Sequence, residues 1–576
     1  MSRDLPLARE RSRSAPVAWR NGRPVGTDAF LADVRALAGR LPATGAAVNL
    51  CTDRYRFAVG LAAALLAGRP SLLPPDARED TLRRLQHDHA DAFVFVEPGM
   101  PHPAGLAAVV VDADGADNGE AEAVSVPQVD DHLLAATLLT SGSTGAPQPH
   151  GKTWGALHQN VAAAAQRLAE CLGHPSLEGL ALVATVPAQH SYGFESTVLL
   201  GLLGGAAFDS GRPFYPADIA AALASVPRPR ALVTTPFHLK MLLDAGLVLP
   251  PVDLVLSATA PLSPQLAARA EAAFGGQLME IYGCTEAGQV ATRRTTAGEE
   301  WRTFGALRIA ARPSDTDGLS CFVVEGGHVA EPTPLADVLE LRDDRHFRLL
   351  GRSNDLVHVA GKRSSLGHLD FHLNSIPGVQ DGAFWLPDDV ADGVVRPVAF
   401  VVAPALQPAD VIAGLRDRLE PAFVPRRVVM VPALPREATG KLTRKALAAL
   451  ASAQPPAAST VEPPPAATFE RAIHADRPVF DGHFPGQPLL PGASLLAEVL
   501  EAVRTAPAWA AYLGLHPTLV SAKFLAPVRP GAVLDIRLEP AAAGAPAAAD
   551  MVVRTGATVV ARGRWQRAGA SGEAAA

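Results

Sequence analysis

The stretch Thr140-Ser141-Gly142-Ser143-Thr144-Gly145-Ala146-Pro147 follows directly on the apolar run 135–139. A buried strand is therefore expected to empty into a loop of glycines and hydroxyls. Such a loop suits an anion: glycines let backbone N–H groups approach closely, and hydroxyls add donors without bulk, although the spacing is not that of a Walker loop. Outward from it, residues 15–351 alternate helical stretches with short Val/Leu/Ala-rich runs at 135–139, 180–186, 231–235 and 254–256. That alternation predicts an α/β domain. Residues 352–450 read as a smaller α+β unit, with strand-like 394–402, a helix at 408–419 and strand-like 427–431. Residues 451–468, ASAQPPAASTVEPPPAAT, favour an extended tether and mark the clearest boundary. Beyond it, 469–567 show strand-rich pieces around one helical stretch, and 568–576 form a small-residue tail expected to fray.

The 576 residues imply about two to four domains. Hydrophobic residues make up 48% and charged ones 19%, which excludes a fibrous or wholly disordered chain. Lys plus Arg at 51 against Asp plus Glu at 58 leaves a net charge of −7 and no field for a polyanion, so nucleic acid is not an expected partner. Cys51, Cys171, Cys284 and Cys321 match neither a disulfide framework nor zinc spacing, which fits a reducing compartment. The first 16 residues lack the apolar core of a secretory signal. The longest apolar runs, 57–68 and 198–208, are shorter than a membrane span, so a soluble cytoplasmic protein is expected.

Four further motifs follow the hydroxyl loop in order. Pro187-Ala188-Gln189-His190-Ser191-Tyr192-Gly193 fits P-x-x-H-x-x-G, and Tyr282-Gly283-Cys284-Thr285-Glu286 fits Y-G-x-T-E. Gly351-Arg352-Ser353-Asn354-Asp355 is similar to G-R-x-D-D, and 435–447, PREATGKLTRKAL, fits P-x-x-x-x-G-K-x-x-R-x-x-L. Over residues 15–450 the chain resembles the adenylate-forming superfamily of acyl-CoA synthetases, aryl-acid ligases and nonribosomal adenylation domains. The resemblance makes 1–351 the large adenylation domain and 352–450 its small mobile lobe.

The chemistry accounts for the residue types. A carboxylate attacking the α-phosphate of ATP brings two anions together, so fixed positive charge must meet them in the transition state. Lys441, on a glycine-bounded loop, is the candidate. The resemblance implies that Glu286 holds Mg²⁺, that Thr285 touches the α-phosphate, and that Thr140, Ser141, Gly142, Ser143, Thr144 and Gly145 hold the β/γ end. Tyr282 joins this ATP site, and Asp337 and Arg352 grip the ribose. His190, Ser257 and Ala258 line the acyl pocket, the latter two in Ser257-Ala258-Thr259-Ala260-Pro261-Leu262, where the family usually has a glycine-rich segment. The family's phosphate loop usually continues Pro-Lys; here it is Pro147-Gln148, so that contact is either lost or supplied by Lys152. Asn354 stands at the hinge position, where Asp or Lys is usual, and asparagine tolerates the backbone angles a hinge needs.

In the last domain, Gly482-His483-Phe484-Pro485-Gly486-Gln487-Pro488-Leu489-Leu490-Pro491-Gly492 fits G-H-F-P-G-x-P-x-x-P-G. This resembles the hotdog-fold 3-hydroxyacyl-carrier-protein dehydratases, in which a sheet wraps a central helix and two subunits pair. Dehydration needs a base for the α-proton and an acid for the leaving hydroxyl, roles a histidine and a carboxylate can share. His483 matches the family histidine. The family acid falls at Ala497, with Glu498 one residue later. Both lie roughly 130° from the apolar stripe Leu495, Leu496, Val499, Leu500 and Val503, on opposite sides, so helical periodicity alone leaves the choice open.

The chain is thus expected to be an α/β multidomain acid-thiol ligase fused to an α+β hotdog domain. Its expected reaction is ATP-dependent activation of a carboxylic acid, then transfer to the phosphopantetheine of an acyl carrier protein or to CoA. The combination is similar to enzymes of aryl-polyene and xanthomonadin-type pigment clusters, which implies an aryl acid such as a hydroxybenzoate. A homodimer through the hotdog domain is implied as well. The alternatives are an acyl-CoA synthetase with a non-catalytic hotdog tail, and a binding scaffold.

Overall fold

In the computed structural model, residues 3–12, 15–100, 105–115, 125–141, 147–313, 320–352, 356–359, 362–386, 397–421, 423–425, 427–435, 442, 444–452, 463–480, 488–541 and 547–567 are described. The chain divides into two compact units, residues 1–214, 219–358 and 363–371 in one and residues 215–218, 359–362 and 372–576 in the other.

The first unit is built on two large sheets. In the six-stranded sheet the order is Pro147–Thr153, Leu134–Ser141, Ser71–Leu73, Ala47–Asn49, Phe93–Val96 and Ala107–Val110, parallel except for the first, an antiparallel edge. In the eleven-stranded sheet, Ala18–Arg20, Ala207–Asp209, Ala181–Ala184, Arg230–Thr234, Leu254–Ser257 and Gln277–Cys284 run parallel. The sheet then continues antiparallel through Gly288–Arg293, Glu300–Thr303, His346–Arg352 and Asp337–Leu341. Parallel strands need helical crossovers that cover both faces, which is why Leu254–Ser257, Ala181–Ala184 and Phe93–Val96 are buried along their whole length. Beyond Arg54 and Arg56 in its first turn, the helix Arg54–Leu66 is apolar all round and correspondingly buried, with Phe57, Val59 and Leu61 fully enclosed. Each such side chain contributes about 1.5–3 kcal/mol of burial.

The expected strand at the hydroxyl loop extends further than the apolar run. It spans Leu134–Ser141, and Pro147–Thr153 folds back on it with Pro147 opposite Ser141 and Gln148 opposite Thr140. Thr140 and Ser141 are therefore strand residues at the mouth of a β-hairpin.

In the second unit, Asp381–Trp385, Val398–Val402 and Arg427–Met430 form a three-stranded sheet with the helices Pro408–Arg416 and Arg444–Ser452. The first of these helices starts with proline, and the Gln407 N–H donates to the Asp410 carboxylate at 2.9 Å, closing its first turn. Farther on, Ala467–Ala472, Val533–Pro540, Ala548–Thr555, Thr558–Gln566 and Thr518–Phe524 make a five-stranded antiparallel sheet. The helix Gly492–Thr505 buries Leu495, Val499, Ala502 and Val503 in the same core as Ile536, Met551 and Val560 of that sheet. This is the hotdog arrangement. Among the described residues, no helix is long and apolar enough to cross a membrane, and all four cysteines are free thiols.

Candidate active site

In an open parallel sheet the C-terminal strand ends face a crevice where ligands bind. Ser257 ends its strand there, opposite Thr234 and Glu280, with its side chain wholly buried. Thr185 and Thr234 share a hydroxyl hydrogen bond of 2.9 Å. Ala258 is buried, and the next residue, Thr259, has a φ of 78°. That left-handed value is costly for a β-branched side chain and occurs in the segment expected to be glycine-rich.

The Y-G-x-T-E motif is the end of a strand and a tight turn. Gln277–Cys284 pairs antiparallel with Gly288–Arg293, leaving only Thr285, Glu286 and Ala287 between them. A Cβ on Gly283 would sit 2.3 Å from the Gly288 carbonyl oxygen, so only glycine lets the two strands approach. The glycine closing P-x-x-H-x-x-G has a similar cause: a Cβ on Gly193 would lie 2.0 Å from the Pro187 carbonyl oxygen. The loop 187–193 is thus folded onto itself. His190 sits at its tip, where desolvation first and the charge of Arg212 second push its imidazole pKa below the ordinary value.

Sheet register gathers the expected nucleotide residues. The Tyr282 hydroxyl donates to Asp337 Oδ2 at 2.7 Å, although 55 positions separate the two in sequence. Asp337 begins its strand directly opposite Arg352. The Tyr282 ring packs against Trp301 and Phe347, at 5.8 and 5.7 Å between centroids, which fixes its direction. Thr285 is half-buried and Glu286 exposed at the turn. For Thr140, Ser141 and Arg352 only the backbone is described; Gly142, Ser143, Thr144, Gly145, Asn354, Lys441 and His483 lie outside the described residues.

The Glu286 carboxylate is the exposed acid of this turn. Its Oε1 lies 3.9 Å from His150 Nε2, and no group of three or more His, Cys, Asp or Glu side chains that could hold a metal occurs among the described residues. One exposed carboxylate fits Mg²⁺, which keeps waters and phosphate oxygens as its other ligands. Burial pushes the Cys284 thiol, beside it, up to about 12, which disfavours the thiolate.

Sequence reasoning missed a buried polar cluster behind this turn. Glu195, 1% exposed, accepts hydrogen bonds from Asn160 Nδ2 at 2.7 Å, Ser191 Oγ at 2.9 Å and the Gln289 N–H at 3.1 Å. Burial raises its pKa above the ordinary carboxylate value. Lys152 Nζ donates to the Glu286 carbonyl at 2.6 Å, and burial lowers its pKa. The available signal was a lone carboxylate just ahead of the apolar run 198–208.

In the hotdog domain, Ala497 is exposed and Glu498 half-buried. The Glu498 carboxylate accepts from Arg477 Nη1 at 2.6 Å.

Comparison with known proteins adds lineage to this geometry. The AMP-binding enzyme family matches residues 25–311, the AMP-binding enzyme C-terminal domain residues 372–441, and the ApeI dehydratase family residues 460–563. The chain is 33% identical over 285 residues to a 4-coumarate–CoA ligase of Rhodobacter capsulatus, covering 50% of this chain and 67% of that protein. A 4-coumarate–CoA ligase of Halorhodospira halophila is 32% identical, with 54% and 75% covered. The 2,3-dihydroxybenzoate-AMP ligase of Bacillus subtilis is 26% identical, with 57% and 66% covered. Among solved structures, apo MatB from Rhodopseudomonas palustris superposes with a TM-score of 0.62 at 19% identity, covering 77% of this chain and 97% of that one. The o-succinylbenzoate CoA synthetase of Bacillus subtilis with its acyl-adenylate gives a TM-score of 0.60 at 17% identity, with 77% and 98% covered. These two likenesses concern the fold alone. The shared sequence and the motif geometry together make the chain a member of the AMP-binding enzymes, an adenylate-forming acid ligase that also carries an ApeI dehydratase-like hotdog domain.

Proposed function

We propose that the protein activates an aryl acid, such as a hydroxybenzoate, to acyl-AMP with release of pyrophosphate, and passes the acyl group to the phosphopantetheine thiol of a carrier protein. The observation that carries the nucleotide part is the Tyr282–Asp337 hydrogen bond opposite Arg352, since it presents a carboxylate and a guanidinium-bearing residue side by side at one sheet edge. Such a pair suits the two vicinal hydroxyls of a ribose. Thr285 then faces the α-phosphate, and residues 140–145 the β/γ end. Glu286 would hold Mg²⁺, which supplies neutralising charge for the triphosphate when bound. Lys441 bridges carboxylate and α-phosphate oxygens, and Asn354 is the hinge of the lobe 352–450. His190, Ser257 and Ala258 bound the acyl group. The names of the similar ligases, which act on coumarate and dihydroxybenzoate, support an aryl substrate.

For residues 469–567 we propose dehydration of a 3-hydroxyacyl thioester by His483 and Glu498 in a homodimer, tethered through the Pro/Ala-rich residues between the helix Arg444–Ser452 and the strand Ala467–Ala472, with the whole protein working in the cytoplasm on one carrier-bound pathway of the pigment type. A second reading has a specific support: the Arg477–Glu498 ion pair already occupies the carboxylate, as expected of a module that binds acyl chains without turning them over.

The decisive experiment measures acid-dependent pyrophosphate release across aryl, short-chain and long-chain acids, with CoA and a phosphopantetheinylated carrier offered as acceptors. Strongest release with aryl acids and preferred loading of the carrier are expected. Release that is strongest with long-chain acids, or absent with all of them, would overturn the substrate proposal.

A further inference from the structure

We propose that Glu195 is a positioning residue for the acid: through Ser191 it anchors the loop 187–193 that carries His190, and so holds that imidazole in one place at the acyl group. The inference rests on the proposed role of His190 in bounding the acyl group.

The loop is fixed at both of its feet. At the first, Nη2 of the buried Arg54 guanidinium donates to the Val186 carbonyl at 2.8 Å, while Nη1 donates to the carbonyls of Asp209 and Gly211 at 3.0 and 2.6 Å. At the second, Ser191 Oγ donates to Glu195 Oε1 at 2.9 Å. Gly193 closes the loop between them, because the Pro187 carbonyl oxygen fills the space a Cβ would need. His190 lies between the two anchors, next to Ser191.

The backbone that presents Glu195 is unusual. Residues Phe194–Leu199 wind as a π-helix, a wide turn that is rare and gathers at functional sites. Thr197 Oγ1 donates to the Gly193 carbonyl, an acceptor that the Thr197 N–H would take in an α-helix. Within this turn the Glu195 side chain is only 1% exposed.

Three donors from three elements explain why the buried group is a carboxylate. Ser191 of the loop bonds Oε1, whereas Oε2 accepts from Asn160 Nδ2 of the helix Trp154–Leu172 at 2.7 Å and from the Gln289 N–H of the strand Gly288–Arg293 at 3.1 Å. An ionised carboxylate only accepts, so it meets all three at once, and bonds to a charged acceptor are the stronger kind. The strand comes this close because it starts with a glycine at a φ of 76°: a Cβ on Gly288 would lie 3.0 Å from Asn160 Nδ2 and 3.3 Å from Glu195 Oε2. Gln289 Nε2 adds a second link to the π-helix, donating to Ser196 Oγ at 2.9 Å. Glu195 is thus tied twice to the scaffold of helix and sheet and once to the loop. That arrangement passes the rigidity of the scaffold to the loop, and less ordering is left for acid binding to impose.

The test reads acid-dependent pyrophosphate exchange in the full chain, with 4-hydroxybenzoate and with the acid that releases most pyrophosphate in the screen above, beside thermal unfolding. Ser191→Ala cuts only the link to the loop. It is expected to raise KM for the acid about tenfold, the low end for a hydrogen bond to a charged group, with kcat, KM for ATP and the melting temperature little changed. Glu195→Leu should raise the acid KM at least as much and lower the melting temperature as well. Glu195→Gln should keep most of the affinity, because its amide oxygen can replace Oε2 while its NH2 group donates to Ser191 Oγ, which accepts as well as donates. In a Ser191→Ala/His190→Ala double variant the acid KM should match that of His190→Ala alone, since the anchor then has nothing to position. An acid KM unmoved by both Ser191→Ala and Glu195→Leu, a Glu195→Gln protein as impaired as Glu195→Leu, or fully additive losses in the double variant would overturn the inference. An acid KM that His190→Ala leaves unmoved would instead overturn the placing of this loop at the acid. Should Glu195→Leu fail to fold, Ser191→Ala and its combination with His190→Ala decide.

Discussion

The Asp337 edge of the eleven-stranded sheet and the central helix of the hotdog domain place their carboxylates in opposite ways. Asp337 is set by strand register: Tyr282 bonds it from one side, and Arg352 stands opposite it on the neighbouring strand. Glu498 is set by rotation about a helix axis, and its nearest strong partner is the Arg477 guanidinium at 2.6 Å. Register is quantised, because a one-residue slip sends every side chain to the other face. Helix rotation is continuous enough that a one-residue offset moves a side chain about 100° around the axis without disturbing the fold. A site built on register tolerates little drift in sequence, while a site built on a helix can lose its acid and keep its shape.

The largest way to break the comparison is at Lys441. Replacing it with alanine is expected to reduce acyl-AMP formation about 10²- to 10³-fold, the usual loss when one stabiliser of transition-state charge is removed, while ATP binding persists. Pyrophosphate exchange read beside nucleotide binding checks both halves. Unchanged exchange would remove this lysine from the chemistry.

Next comes the hotdog carboxylate. Glu498→Gln is expected to slow hydration of a 2-enoyl thioester about 10²-fold, and His483→Ala to abolish it. Arg477→Ala separates catalysis from structure. If the ion pair only holds the helix, the variant loses about 1 kcal/mol of stability and little activity, because the pair is partly open to solvent. Equal hydration rates in the Glu498→Gln and unaltered proteins would favour the binding-module reading.

The register-built site should respond more mildly. Asp337→Asn keeps a hydrogen-bond acceptor but loses the charge, and is expected to raise KM for ATP about tenfold with a smaller change in kcat, consistent with the 1.5–3 kcal/mol of hydrogen bonds to charged groups. A KM unchanged from the original protein would mean that Asp337 serves Tyr282 alone.

Much of this was legible in the sequence, for identifiable reasons. Short buried strands such as Leu254–Ser257 read as continuous apolar runs, since a parallel sheet covered on both faces allows no alternation. The glycines at 193 and 283 could be noticed as motif members, and coordinates then supply the cause, a backbone carbonyl in the space of a Cβ. Three things were hidden. The hairpin at Pro147–Thr153 was masked by its two prolines and its glycine, which are poor strand formers. The Tyr282–Asp337 contact depends on pairing across three intervening strands, which no local pattern encodes. The Glu195 cluster required knowing which buried donors converge on it from a helix, a loop and a strand. The acid of the hotdog domain stayed ambiguous because Ala497 and Glu498 flank the apolar stripe symmetrically; the ion pair to Arg477 shows what Glu498 touches.

The smallest expected effect concerns Thr259, and it sharpens the contrast between the halves. Among the described residues only Asn21 and Thr259 have positive φ without being glycine, and neither lies in the hotdog domain. Asparagine accepts that region readily, whereas a β-branched threonine at a φ of 78° stores strain of about 1–3 kcal/mol. Glycine would release the strain but add unfolded-state entropy of about 0.4–1 kcal/mol, so Thr259→Gly should stabilise the ligase by about 1 kcal/mol. Thr259→Ala keeps a Cβ and should gain far less. Denaturant midpoints of the two variants distinguish the causes: equal shifts would mean that the threonine side chain, not its backbone angle, is the source. A gain in stability with a weakened preference among acids would further tie the strained backbone to the shape of the proposed acyl pocket, because Thr259 directly follows Ser257 and Ala258 at the strand end.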